Sequence, residues 1–421
     1  MRVLERLAAR RRFSDDEQMV LDQVRRLCAE QIAPRAAALD ESGAFPWENI
    51  HAINALGLNG LFVPEAHGGA PMSYRLYLEV VAEISAACAS TGIVYATTFH
   101  GMKPLIDLGT EAQKARLLPR IAEGGLGALA ITEPAAGSDA TGMKTRFTPE
   151  GDDIVVNGGK IFISNGDVAD LLLVFGKWEG IADAKAAISV LIMEKGTPGL
   201  SVVRLEDKMG HRAASTATLA FDNVRVPRAN LIGEPGEGLR ILLASLNKSR
   251  PSVAAHALGI ARAAFGDMVG YMNDRKQSGK RIIDFQGNQF TLADLATDLA
   301  FCEAWMDHVA AMVDGGESEF GIEASMLKLR ASDLAMKMTT EAVQMFGGYG
   351  YCRDHRVERL MRDAKITQIW EGTSRSPTRC PASRRWTGRA CSFAAARRCP
   401  SWSAWPTRSA PCCGSRRWWS A

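Results

Sequence analysis

The sequence predicts an α+β multidomain protein: an N-terminal helical domain over residues 1–125, a small β-barrel or sandwich over 126–235, and a C-terminal four-helix bundle over 236–374. Three observations carry this. The apolar period is near 3.6 up to about residue 125, falls to 2 as far as Pro227, and returns to 3.6 from Gly238. Turn residues are dense in the middle stretch and sparse on either side of it. Finally, 421 residues that are 47% hydrophobic are enough to bury two or three cores.

The first helix opens at Ser14, with Glu17 at capping-box spacing, and its pattern runs through SDDEQMVLDQVRRLCAEQIAPRAAAL. YRLYLEVVAEISAACA and KARLLPRIAEG continue in the same mode. The β domain reads as short runs (ALAIT, DIVV, KIFIS, LLLVF, AISVLIM, LSVVRL, TATLAFDNVRV) joined by turn signals such as Asn157-Gly158 and Asn165-Gly166. Beyond Gly238 come long Ala/Leu/Met-rich patterns, FTLADLATDLAFCEAWMDHVAAMV and IEASMLKLRASDLAMKMTTEAVQMF among them, whose short connections predict a bundle. LNKSRP, residues 246–251, reads as a helix start with Pro251 at an early position.

The net charge of +3 conceals two compositions. Residues 375–421 hold ten Arg with no Lys and no acidic residue, which leaves 40 basic against 47 acidic residues in the rest. This terminal stretch also has five of the nine Cys and five of the nine Trp, and no Leu, Ile, Val or Met. Prolines 377 and 381 oppose a helix and nothing apolar and aliphatic is present for a core, so out-of-frame translation of GC-rich DNA and a disordered segment are expected. An Arg/Trp arm for nucleic acid or membrane is the weaker reading, because such arms normally use Lys and aliphatic residues as well. No apolar run reaches the roughly 18 residues that a spanning helix needs. The Arg-rich start is interrupted by Glu5 and leads to no secretory h-region, so a cytoplasmic location is expected. Cys28, Cys88, Cys302 and Cys352 have no metal-ligand spacing, and no metal is expected.

GxGxxG after a strand, GxxxxGK[ST], HExxH and GxSxG are all absent. Four other segments occur in a fixed order: LAITEPAAGSDATGMKT (129–145), NGGKIFISNG (157–166), DRKQSGKRIIDFQGNQFTLADL (274–295) and QMFGGYGYCRDHRVERLMRDAKITQIWEGTS (344–374). Together they resemble the acyl-CoA dehydrogenase family, over nearly everything from Ser14 to Ser374. The resemblance implies an FAD enzyme that desaturates an acyl thioester between Cα and Cβ and passes electrons to an electron-transfer flavoprotein.

Read on its own, KIFISNG places Phe162 and Ser164 on one strand face and Ile161 and Ile163 on the other. By resemblance, Phe162 and Ser164 stand where the family usually has Trp and Thr against the flavin ring and its N5 edge. The same likeness assigns Leu129, Ile131 and Thr132 to the flavin pyrimidine, and Ser138 to both the cofactor and the thioester arm. Arg275 stands where an Arg of a neighbouring subunit meets the FAD pyrophosphate, so a homodimer or homotetramer is implied. Gln286, Gln344, Gly347, Gly348 and Thr373 complete the implied FAD set. Gln277 and Ser278 depart from the aromatic pair common after this Arg-Lys. Asn247, Arg250 and Gly372 are implied substrate contacts.

Glu371 in QIWEGTS is the candidate base. Removing a Cα proton needs a carboxylate next to the acidic carbon, and the resemblance has the Glu371 N–H hold the thioester carbonyl while hydride leaves Cβ for flavin N5. Relatives with the base elsewhere use the position of Ser249, which cannot serve as a base. Two competitors are a flavin oxidase or monooxygenase on the same fold, and a catalytically silent product of the altered terminus. His100, in the pocket-bordering stretch STGIVYATTFHGMKPLI, reads either as an acyl-chain contact or as a helix end, the latter being preferred. A CoA and an acyl-carrier-protein thioester are both compatible with the residues.

Overall fold

The computed structural model describes residues 13–374. The terminal stretch read above as out of frame lies outside the described residues, as does the Arg-rich start. Helices dominate residues 15–122. α1 (Asp15–Leu27) is capped as expected: Ser14 and Glu17 bond each other's backbone N–H at 3.0 and 3.2 Å. After a π-helical turn come α2 (Ala33–Ser42), α3 (Trp47–Ala55), α4 (Tyr74–Ala87), α5 (Ala89–Leu108) and α6 (Glu111–Ala122). Most of α5 is buried, and its burial runs all round the helix instead of along one stripe.

The middle sheet has seven strands: β1 (Gly127–Ala130), β2 (Arg146–Glu150), β3 (Asp153–Ser164), β4 (Leu171–Trp178), β5 (Ile188–Glu194), β6 (Leu200–Leu205) and β7 (Thr216–Pro227). The order is β1-β4-β2-β3-β7-β6, with β5 also on β4. DIVV and KIFIS are one strand, β3, and Asn157-Gly158 is no hairpin turn. Gly158 sits at a register shift with φ +147°, where a Cβ would come within 2.7 Å of the Thr145 backbone. The actual turn between β2 and β3 is Gly151-Asp152, between the paired Glu150 and Asp153.

The closing helices are α7 (Gly238–Asp274), α8 (Gln286–Asp314), α9 (Gly321–Phe346), the single turn α10 (Gly348–Tyr351) and α11 (Val357–Thr367). α7 is 37 residues long and packs on α4, α5, α8 and α9, so the first and last helical regions share its surface. Pro251 lies inside α7, not at its start. Asn247–Pro251 therefore continues a helix begun at Gly238, and the ring removes the hydrogen bond that the Asn247 carbonyl would accept. Arg275 ends α7 instead of continuing it, and a hairpin follows: β8 (Lys276–Gln277) and β9 (Lys280–Arg281) around Ser278 and Gly279, at φ +50° and +80°. Positive φ at both turn residues is the geometry that tight hairpins require. Arg262 ties the helices together by pairing with Glu79 of α4 at 2.8 Å and Glu303 of α8 at 2.6 Å. No helix among the described residues is long and apolar enough to cross a membrane.

Candidate functional site

The first group of predicted residues lies where β1 leaves the sheet beside β3. Lys160 of β3 is fully buried; its Nζ donates to the Ile131 carbonyl at 2.8 Å and to Glu133 Oε1 at 2.7 Å. Burial pulls that ammonium down to about 8 against the pull of Glu133. Glu133 also accepts from the backbone N–H of Lys144 and Thr145, and the Thr132 carbonyl accepts from Ile161 N–H at 2.9 Å. These bonds clamp LAITEP against KIFIS. Leu129, Ile131 and Thr132 are half-buried there, and Ser138 is exposed in the following turn.

The expected two-face alternation across Ile161–Ser164 is interrupted. Lys160 pairs with Leu219 and Ile163 with Ala217, so Ile161 and Phe162 together span the one position between them on β7. This is a bulge, and Phe162 takes φ +59°. The ring is turned outward and is 59% exposed, while Ser164 is half-buried.

A second group surrounds Glu371, in the turn after α11. Its side chain is only 14% exposed. Ser249 of α7 donates its hydroxyl to Oε2, and His100 of α5 places Nδ1 3.4 Å from Oε1. The turn is gripped by its backbone: Lys328 Nζ donates to the Gly372 carbonyl at 2.7 Å and Arg250 Nε to the Glu371 carbonyl at 3.4 Å. Burial lowers the Lys328 ammonium to about 8, with Glu371 opposing. Gln368 adds a bond to Asp333 at 2.8 Å. Trp370 stacks on His211 with rings 5.6 Å apart and 14° from parallel. His211 in turn meets His256 of α7, with Nε2 atoms 2.9 Å apart. Burial, with His100 second, holds His256 down to about 3, so this pair is neutral at physiological pH.

The third group is at the end of α7. Arg275 lies over the Tyr349 ring at 5.6 Å, next to Gly347 and Gly348, and Gln286 and Gln344 are exposed at the starts and ends of α8 and α9. The structure thus gathers Glu371, Gly372 and Arg250 in one cluster, with Thr373 in the same turn. Asn247 instead lies against Gly321, where a Cβ would come within 2.8 Å of it.

Sequence reasoning preferred a helix end for His100 and missed Ser252, His211, His256 and Lys328. His100 does not finish a helix; it is buried in the interior of α5 with its ring on Glu371. A lone His in an apolar run was the only signal available. His211 and His256 are 45 residues apart in the chain, and no spacing rule joins them.

Among the described residues six non-glycine positions have left-handed backbone, and four of them, Phe162, Asn165, His211 and Glu371, belong to these two neighbourhoods. Such conformations cost about 1–3 kcal/mol each and concentrate where function needs them. Asn165 shows what holds one in place: its side chain donates to the Val94 and Gly127 carbonyls, joining α5 to β1.

Family models for the N-terminal, middle and C-terminal domains of acyl-CoA dehydrogenase match residues 14–125, 128–224 and 236–379. The short-chain specific acyl-CoA dehydrogenase of Clostridium acetobutylicum is 40% identical over 362 residues, 85% of this chain and 95% of that one. The chain belongs to the acyl-CoA dehydrogenase family. Butyryl-CoA dehydrogenase from Megasphaera elsdenii has the same fold, with a TM-score of 0.84 at 38% identity over 86% of this chain and 96% of that one. A chain solved in work on the electron transferring flavoprotein of Acidaminococcus fermentans and flavin-based electron bifurcation matches with a TM-score of 0.84 at 39% identity and the same coverage. Acyl-CoA dehydrogenases are FAD-dependent oxidoreductases acting on acyl-CoA, and this chain is one of them.

The residues present fit FAD. A bare aromatic ring on a bulged strand, with a hydroxyl two residues on, offers a flat apolar face and a donor to a ring system. At the end of α9, a Cβ built on Gly347 or Gly348 meets no atom within 4 Å, and Arg275, over the ring of the following Tyr349, supplies a guanidinium of the kind a pyrophosphate would take.

Proposed function

We propose that this acyl-CoA dehydrogenase desaturates its substrate between Cα and Cβ with Glu371 as the base. The observation that carries the reading is the hold on Glu371: a carboxylate almost removed from water, in a strained turn whose backbone is fixed by Lys328 and Arg250. A base so placed needs no reorganisation when the substrate arrives. Bound FAD supplies the acceptor for the β-hydrogen, which leaves as hydride. Glu371 takes the α-proton. Ser249 keeps one carboxyl oxygen in register by its hydroxyl, and Trp370, backed by His211, closes one side of the turn against water. Phe162 and Ser164, with Leu129, Ile131, Thr132 and Ser138, form the flavin face, and Arg275, Gln286, Gln344, Gly347, Gly348 and Thr373 complete the FAD set. Ser138, Asn247, Arg250 and Gly372 meet the thioester arm. Arg275 acts on the FAD of a second subunit, so the active form is a homodimer or homotetramer. Electrons pass to an electron-transfer flavoprotein, a reading supported by the likeness to the chain solved with the Acidaminococcus protein. The straight short-chain relatives favour a short acyl group.

The test is Glu371→Gln, assayed anaerobically with butyryl-, isobutyryl- and cyclohexenecarbonyl-CoA. The variant is expected to stay yellow and to lose about 10²- to 10⁴-fold in flavin bleaching. Bleaching at the wild-type rate would remove Glu371 from the base role.

A further inference from the structure

The hydrogens around His100 can be counted. Ser252 donates its hydroxyl to the Ser249 carbonyl at 2.8 Å, and a hydroxyl has one hydrogen. With that hydrogen assigned to the carbonyl, the close contact between Ser252 Oγ and His100 Nε2 takes its hydrogen from the ring. A neutral imidazole has one N–H, so with Nε2 protonated Nδ1 is a bare acceptor. That acceptor faces Glu371 Oε1 at 3.4 Å, while Oε2 already accepts from Ser249. An ionised carboxylate and a bare ring nitrogen have nothing to exchange across this gap. One proton between them turns it into a hydrogen bond.

We propose that His100 is a positioning residue that holds the proton Glu371 abstracts: once the Cα–H bond breaks and the proton arrives on Glu371, the carboxyl donates it to His100 Nδ1. The step moves one proton and leaves the electron pair on the substrate, and His100 touches no reacting carbon. The inference rests on Glu371 being the base. Its consequence is that the protonated form of Glu371 is stabilised.

Other groups face this pair. On α4, Tyr74 and Tyr77 are pushed far up by burial, with the charge on Glu371 adding to it, and stay neutral. On α7 are Arg250 and His256, the latter neutral. Lys328 of α9 is lowered to about 8 by burial, so the alkaline limb of a pH profile includes it.

The experiment uses the FAD-loaded enzyme and the acyl-CoA of the panel that bleaches fastest, in wild type, His100→Phe, His100→Asn and Glu371→Gln. Two quantities are read: exchange of the substrate α-hydrogen with D₂O, and the acid limb of kcat/KM. Losing a neutral acceptor costs about three- to tenfold in exchange. Because the acceptor favours the protonated carboxyl, its removal moves the acid limb of His100→Phe down by about 0.5–1 pH unit. His100→Asn, whose amide oxygen can stand in for Nδ1, recovers part of both. A purely packing role would lower rates and leave the limb in place, and that outcome overturns the proposal. The ring itself gives a check that needs no altered active site: in ¹⁵N-histidine-labelled wild-type enzyme, with His100→Asn for assignment, His100 is the Nε2–H tautomer, and an Nδ1–H tautomer or an imidazolium at neutral pH refutes it. If Glu371→Gln keeps full exchange, the base assignment fails. If Glu371→Gln abolishes exchange and both His100 variants match wild type, only the role of His100 fails.

Discussion

Gly101 is the position where a single methyl group tests how the site is built. It lies on α5 one residue after His100, and a Cβ there would stand 2.7 Å from the Ala128 nitrogen and 2.9 Å from its carbonyl carbon and oxygen, all backbone atoms of β1. Ordinary contact begins at 3.4 Å, so Gly101→Ala forces α5 and β1 apart by about 0.7 Å. Neither side can yield by rotating a side chain. Overpacking of this kind costs about 1–3 kcal/mol, and the gain in helix propensity, about 1 kcal/mol, offsets part of it. The same movement shifts His100 against Glu371 and loosens the bond from Asn165 to Val94, so activity falls further than stability does. Gly266→Ala on α7 is the control. That glycine is exposed, has no atom within 4 Å of a built Cβ, and should gain about 0.5–1 kcal/mol. Both variants are melted with excess FAD, following flavin fluorescence and far-UV circular dichroism, alongside anaerobic bleaching. A midpoint for Gly101→Ala equal to that of Gly266→Ala, with wild-type bleaching, would refute the argument that close approach of α5 to β1 sets the site.

Phe162→Gly separates strain from contact. Glycine relieves the φ of +59°, so the cofactor-free protein melts higher, while loss of the exposed ring weakens FAD retention on a desalting column; unchanged retention would exclude Phe162 from the flavin face. Asp363, buried and accepting the His211 N–H at 2.5 Å, is raised to about 6 by burial, against that bond. The native state therefore binds the proton more tightly than the unfolded chain, and this group costs stability as pH rises from about 4 to 6. Asp363→Asn keeps an acceptor without the charge, so its advantage in melting temperature over wild type grows between pH 4 and 6 and is flat above; an advantage independent of pH would refute this.

The α+β order and the family were legible because both rest on local pattern, the change of period at Leu126 and four motif segments. What escaped was set by neighbours distant in sequence. Period-2 counting assigns Phe162 and Ser164 to one face, and cannot see that two residues of β3 share one position on β7. Pro251 looked like a helix start because the sequence preference at the first turn is strong. Packing from both sides instead carries α7 straight through it. α5 is buried nearly all round, so no stripe pointed out the face with His100. Lys328 was one more basic residue in a helical pattern until the fold put the Gly372 carbonyl within its reach.

The grip on the Glu371 turn has a consequence for how this scaffold can change. Lys328 and Arg250 hold carbonyl oxygens of residues 372 and 371, and Gln368 and Ser374 contribute further bonds of their own to α9 and to the turn. None of these contacts reads the identity of the side chain at 371. The turn behaves as a tool holder that clamps the shank and leaves the bit interchangeable. A different functional group can be seated at that spot without re-solving the fold, and novelty in reactivity at this position is therefore cheap for evolution and for protein engineering alike.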